Sequence, residues 1–306
     1  MRQVKERKPA EWKPDSIYSW QVEDSTNLME ALTAKLTDHK RTAIKSLLKH
    51  SQVAITSLPT TQFDTPLKAG DRVSVNFTRP FVTFSNPKIK LVYEDDDIIV
   101  IYKNNGVLSV STDNVKDGTA YSILRGYLKE KDPRIKLFIV HRLDRDTSGL
   151  MLFAKSIEAK EAMQHNWNNM VLNRKYVAVV EGKVDEKEGT IQSYLAETSQ
   201  FEVYSTDDPN KGQLAVTRFN TLKTANGYSL LELELDTGRK NQIRVHCKDM
   251  GHPIVGDKKY GAKTSPIHRL ALHARTLRFV HPITRQEMNF ETPIPSRFQA
   301  LVKPGK

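Results

Sequence analysis

Asn226-Gly227 stands between two long runs in which apolar and polar residues alternate. Both residues of such a pair tolerate the positive φ values of a tight two-residue turn, so the pattern predicts a β-hairpin. Alternation sends successive side chains to opposite faces, as a half-buried sheet requires. A second hairpin is predicted from Ile89–Tyr93 and Ile98–Tyr102 around the charged turn Glu94 to Asp97. Further strands are predicted over Leu150–Ala154 and over Tyr176–Val180, the latter ended by Gly182. Helices are predicted over Thr119–Glu130, and after Ser156 as an N-cap, the second carrying Ile157, Met163, Trp167 and Met170. Strands dominate and hairpins connect them. That indicates an α+β fold with a mostly antiparallel sheet, not a doubly wound parallel one.

The 306 residues suit two domains. Residues 1–23 are polar and charged and read as a basic tail. Residues 24–79 form a compact block: Leu28, Ala31, Leu32 and Leu36 recur at helical spacing, as do Ile44, Leu47 and Leu48. Short strands follow at Gln52–Ile55 and Arg72–Val75. Lys40, Arg41, Lys45 and Lys49 decorate the second helix and its entry, as a solvated face or as a face for a polyanion. Residues 80–88, with Ser85-Asn86-Pro87, read as a linker into a large domain over 89–306.

Lys and Arg exceed Asp and Glu by 47 to 36, a net charge of +11. That excess favours a polyanionic partner through counterion release, although it also serves solubility alone. Cys247 is the one cysteine, so no intrachain disulfide forms. It reads as an inert buried thiol, with a weaker nucleophile reading from its neighbour His246. No run approaches the roughly 20 apolar residues of a membrane helix. Met1 to Pro9 lacks the apolar core of a secretory signal, so the expected compartment is the cytoplasm.

Chemistry concentrates in His141-Arg142-Leu143-Asp144-Arg145-Asp146-Thr147-Ser148-Gly149, which runs straight into the apolar strand at Leu150. Asp144 and Asp146 form a possible acid–base pair, but the flanking arginines disfavour a protonated acid and suit a single ionised Asp144 better. An Asp that merely pins the loop is the bland alternative. His141, Asp144, Asp146 and His246 show no paired metal-ligand spacing, and phosphate-binding glycine motifs are absent from the sequence, so neither a metal nor a nucleotide cofactor is expected. Leu235 to His246 is the second dense cluster and is predicted to open a helix that ends near Gly251. Arg244 within it either stays exposed or turns inward to partner a buried Asp144, which would be costly alone. Tyr176 is a core aromatic or a ring that stacks on a base.

Together these segments resemble the RluA-type pseudouridine synthases. The signature loop matches at 141–149, the strand motif at Arg174-Lys175-Tyr176, and a third motif at Thr237-Gly238-Arg239 through Gln242-Ile243-Arg244-Val245-His246. Gly251 to Asp257 and Leu272-His273-Ala274 also fit, so the likeness covers roughly 88–295. The family's early Lys-Pro-x-Gly reads Lys103-Asn104-Asn105-Gly106, a departure placed away from the catalytic trio. Residues 24–79 look like a small S4-like RNA-binding module shared with a ribosomal protein, with departures at Asn27-Leu28-Met29-Glu30 and Ile55-Thr56-Ser57. The resemblance implies a mostly antiparallel mixed sheet with flanking helices around a central cleft, plus a small α/β-type N-terminal RNA-binding module. It also implies isomerisation of uridine in RNA, 23S ribosomal RNA before transfer RNA, without cofactor or metal; a monomer is the default expectation. Asp144 would attack the nucleoside or abstract a ribose proton, Tyr176 would stack on the uracil, and Arg244 would hold Asp144 ionised. Arg142 would fill the place of the flipped base, with His141, Lys40, Arg41, Lys45 and Lys49 on the RNA. A non-catalytic RNA-binding factor and a glycosidase are the alternatives; the second needs another carboxylate facing Asp144.

Overall fold

The computed structural model describes residues 16–55 and 58–304, so most of the tail and Thr56-Ser57 lie outside the described residues. The chain divides after Ser85. The first unit runs β1 (Ile17–Gln21), β2 (Thr26–Asn27), α1 (Leu28–Lys35), α2 (Arg41–Lys49), β3 (Val53–Ile55), β4 (Leu58–Pro59), β5 (Pro66–Leu67) and β6 (Arg72–Asn76). The Asn27 side chain accepts from Glu30 N and starts α1. Leu28, Leu32, Ile44 and Leu48 face a core with Val53, Val73 and Val75. Helical spacing leaves Arg41, Lys45 and Lys49 on the opposite, exposed face of α2. The strand order is β1-β6-β3-β4. One boundary moves: Ile17–Gln21, expected in the tail, pair residue by residue with Arg72–Asn76, and Trp20 packs on the core. The alternation Ile17, Ser19, Gln21 against Tyr18, Trp20 carried that signal, masked by the charged residues around it.

The second unit contains β7 (Ile89–Glu94), β8 (Ile98–Lys103), α3 (Ala120–Lys131), β9 (Phe138–Ile139), β10 (Ser148–Ala154), α4 (Ile157–His165), α5 (Trp167–Met170), β11 (Val171–Glu181), β12 (Glu188–Glu197), β13 (Val203–Thr206), β14 (Gln213–Ala225), β15 (Tyr228–Leu235), α6 (Gln242–Asp249), a 3-10 turn (Lys258–Tyr260), β16 (Leu272–Val280), β17 (Glu287–Glu291) and α7 (Ser296–Leu301). The end of α3, from Tyr127, groups with the first unit. Among the described residues the strands form an eleven-stranded sheet, ordered β13-β12-β14-β15-β11-β16-β10-β8-β7, with β17 on β16 and β9 on β10. The expected α+β, mostly antiparallel mixed sheet is what forms: β10 and β16 run parallel, and the other pairings described here are antiparallel. Ser156 caps α4 as expected, but the helix breaks at Asn166, so Trp167 and Met170 belong to α5. Both helices cover Ile98, Val100, Leu150, Leu152 and Phe279. No helix among the described residues is long and apolar enough to cross a membrane.

The parallel contact of β10 with β16 sets the site. Ser148 lies opposite His273 and Gly149 opposite Ala274. Gly149 takes φ +122, and a Cβ there would sit 2.1 Å from the Ala274 carbonyl oxygen. Only glycine lets the two backbones approach this closely, which gives the last residue of the signature loop its physical reason.

Candidate active site

The loop before β10 is clamped from both sides. The Ser109 hydroxyl donates to Leu143 O at 2.6 Å and accepts from Leu143 N at 3.1 Å. Lys103, at the end of β8, donates to Val107 O at 2.7 Å and to Arg145 O at 3.1 Å. Leu143 is buried as an anchor, and Thr147 N closes the turn on Asp144 O at 3.2 Å. Asp144 is thereby aimed at a cleft of about 70 Å³ lined also by Arg142, Tyr176, Arg239, Gln242 and Arg244.

Tyr176 reaches this cleft from β11. Lys175 pairs with Thr276 and Tyr176 with Ala274, so Arg275 is an extra residue on β16. Such a bulge re-aims neighbouring side chains and recurs beside functional sites. Burial raises the Tyr176 hydroxyl pKa, and the Asp144 charge adds to the rise.

Arg244 comes from α6, which the third motif docks onto the sheet. Gln242 accepts from Thr237 Oγ1 and Arg239 N, and donates to Val216 O and Thr217 Oγ1. His246 bridges Thr217 at 2.8 Å and Ser193 at 3.1 Å, and burial pushes it down to about 4. The Thr, Gln and His of that motif are therefore the seat of the helix. The Arg244 guanidinium is then fixed on several sides. It donates to both Asp257 oxygens at 2.7 and 2.8 Å and to Asn241 Oδ1 at 3.1 Å. The Tyr260 ring lies 4.9 Å away. Its Nη1 stands 3.5 Å from Asp144 Oδ2.

The expected Asp144–Arg244 pair is thus present, but it is the weaker of two. Asp257, whose side chain is 1 % exposed, is the main partner of Arg244. Asp144 keeps 32 % of its side chain exposed toward the cleft. Burial raises the Asp144 pKa, while Arg244 first and then Lys103 pull it back. Burial opposes the Arg244 charge, but the Asp257 bonds and charge, helped by Asp144, raise its pKa overall. Burial brings Lys103 down to about 8, against the pull of Asp144 and Asp146. The outcome is a carboxylate more basic than usual, facing a cation that cannot swing away.

Two functional neighbours escaped the sequence reading. Asp257 sits in the Gly256-Asp257 turn, thirteen residues beyond Arg244, with no periodicity to connect them. Lys103 is a fully buried lysine ending an otherwise apolar strand, and that polar residue after Ile98 to Tyr102 was the available signal. Lys103 fits the family motif, whose departure falls at Asn104, and it reaches the site through the loop carbonyl of Arg145. His141 Nε2 accepts from Leu152 N at 2.9 Å and the ring packs 5.3 Å from Trp167. Burial, with Arg174, holds it down to about 3. The imidazole braces the loop through Nε2. Arg142 is exposed and lines the cleft. Asp146 is also exposed and pairs with Arg145 at 3.4 Å. Lys40, Arg41, Lys45 and Lys49 belong to the first unit and are exposed. Burial pushes the Cys247 thiol up to about 12, against any thiolate chemistry.

Asp95, Asp97 and His281 lie close enough to ligate a cation. Their polar atoms are engaged already. Asp95 takes Asp97 N, Ile98 N, Tyr93 OH and His281 Nε2, Asp97 takes the Ser156 hydroxyl, and His281 Nδ1 takes Ile283 N and Thr284 N. This is a turn clasp at the opposite end of β8 from Lys103.

The sequence profile of RNA pseudouridylate synthase matches residues 97–249, which include Asp144, Tyr176 and Arg244. The uncharacterized RNA pseudouridine synthase YlyB of Bacillus subtilis is 32 % identical over 294 residues, 94 % of this chain and 96 % of the relative. Ribosomal large subunit pseudouridine synthase D of Escherichia coli K12 is 30 % identical over 293 residues, 90 % of this chain and 89 % of the relative. Human RNA pseudouridylate synthase domain containing 1 superimposes with a TM-score of 0.56 at 24 % identity, over 70 % of this chain and 86 % of that one, and so shares the fold. Matched by the family profile and by relatives over nine-tenths of its length, the chain belongs to the RNA pseudouridine synthases and is an isomerase.

Proposed function

We propose that Asp144 is the catalytic carboxylate and that the substrate is 23S ribosomal RNA. The observation that carries the first part is the cleft: Asp144 is the one carboxylate among its lining residues, with Tyr176 and Arg244 in the same wall. A two-carboxylate hydrolysis has no second member there. Isomerisation breaks the bond from C1′ to N1 and forms one from C1′ to C5. C5 gives up its proton and N1 takes one, so composition is unchanged. Asp144 acts on the ribose side, as nucleophile toward the sugar or as base for a ribose proton. Arg244 keeps it ionised, and its own tether to Asp257 preserves the geometry when the Asp144 charge changes. Tyr176 supports the uracil ring while it turns. Arg142, exposed at the mouth, fills the gap left by the flipped base, which offsets part of the few kcal/mol of unstacking.

The large-subunit assignment is supported by the relatives named ribosomal large subunit pseudouridine synthase D, from Haemophilus influenzae and Escherichia coli. The first unit acts as an S4-like RNA-binding module, with Lys40, Arg41, Lys45 and Lys49 toward phosphates. Pseudouridine mapping of unmodified 23S and transfer RNA treated with the purified enzyme tests the substrate. New sites in 23S RNA are expected; sites confined to transfer RNA would overturn the assignment.

A further inference from the structure

The hairpin tip between β12 and β13 carries Phe201 with 71 % of its surface exposed. Its φ is +63, a conformation uncommon for a bulky residue. The tip is well tied. Phe201 N donates to Thr198 O at 3.0 Å, Thr198 N donates to Glu202 O at 2.8 Å, and Lys259 Nζ donates to Phe201 O at 3.3 Å. Lys240 Nζ stands 5.4 Å from the ring centroid while pairing with Glu197. The ring is thus held out into solvent, with the Lys240 ammonium near its face and the Lys259 ammonium on its backbone oxygen.

Those two lysines line different cavities. Lys240, with Lys211 and Arg239, lines one of about 470 Å³. Lys259, with Lys258 and Arg244, lines another of about 490 Å³. Arg239 and Arg244 both also line the catalytic cleft. Each of the two lysines that touch Phe201 therefore lines a cavity that shares an arginine with the cleft of Asp144, with cations outnumbering carboxylates in both linings. An unpaired nucleotide offers the complement: a π face for the phenyl ring and phosphates for the flanking cations. A duplex offers no free base face at such a tip.

We propose that Phe201 is a stacking platform for an unpaired base of the RNA that flanks the target uridine, with Lys240 and Lys259 on the adjoining phosphates. The proposal rests on RNA being the substrate and adds a contact outside the catalytic cleft. The test compares the full-length protein with Phe201→Ala, Phe201→Trp and Phe201→Leu, using a mixed-sequence single-stranded RNA of about twelve nucleotides. Phe201→Ala is expected to weaken binding about tenfold with an unchanged melting temperature, because the ring covers little. Phe201→Trp restores affinity, and its emission, above the background of Trp12, Trp20 and Trp167, is quenched by RNA. Phe201→Leu does not restore it. Unchanged binding by Phe201→Ala, or equal rescue by Leu, overturns the platform. Wild-type turnover on a 23S transcript is run in parallel. Its failure would count against the ribosomal substrate alone, since the short-RNA comparison decides Phe201 by itself.

Discussion

Arg244 and the basic residues of α2 are cations on short helices, yet they live under opposite constraints. Arg244 is 14 % exposed and held by Asp257, Asn241 and the Tyr260 ring. Lys40, Arg41, Lys45 and Lys49 stand in solvent, and no ion pair to them is found among the described residues. A pinned guanidinium keeps its direction while charge shifts beside it, which suits a reacting centre. A free ammonium contributes charge at a distance and adapts to any phosphate, which suits affinity. Substitutions in the two regions should therefore differ in kind as well as in size.

The largest of these effects is expected from Arg244→Ala. It strands Asp257, 1 % exposed, without its bidentate partner. Breaking a buried pair costs about 3–5 kcal/mol, and the turnover rate should fall about 10²–10³-fold. Thermal melts and single-turnover assays check both; a stable, active variant would break the comparison. Replacing Lys40, Arg41, Lys45 and Lys49 together by Gln should leave the rate at saturating RNA unchanged. It should make the salt dependence of binding shallower by up to about 3.6 in log–log slope, at roughly 0.7–0.9 per phosphate contact. An unaltered slope would remove α2 from the RNA.

The smallest effect concerns pH. In the proposed role Asp144 works as the carboxylate, and burial raises its pKa. Activity should therefore fall on the acid side, through a pKa above the ordinary value of about 3.9. Lys103 opposes that rise, so Lys103→Met should move the acid limb further upward. The loop clamp at Arg145 O is lost with it, so the shift is read from the pH profile, not from the absolute rate.

These contrasts follow what sequence could and could not convey. The Asn226-Gly227 hairpin, the apolar strand at Leu150 and the helix after Asn241 were legible because each rests on local chemistry or periodicity. The residues alone left Arg244 either exposed or turned toward a buried Asp144, and the family resemblance is what paired them. The stronger bond from Arg244 to Asp257 was not legible, since two carboxylates competed for one guanidinium and only folding ranks them. The structural bond of His141 was hidden for a related reason. A histidine in a charged loop looks like a ligand, and nothing local reveals that a strand N–H at Leu152 claims its ring nitrogen. The strand at Ile17–Gln21 was lost because a short edge strand has little signal of its own until its partner, β6, is in place.

Beyond these effects in scale stands Asp144, on which the account depends. The direct measurement is single-turnover conversion of an unmodified 23S transcript by Asp144→Asn beside the wild type, with RNA binding followed in the same samples. Asn keeps the size and the loop contacts and removes only the charge. The variant is expected to bind the transcript and form no pseudouridine, a loss of at least about 10⁴-fold. Conversion at a rate near that of the wild type would contradict the catalytic role of Asp144.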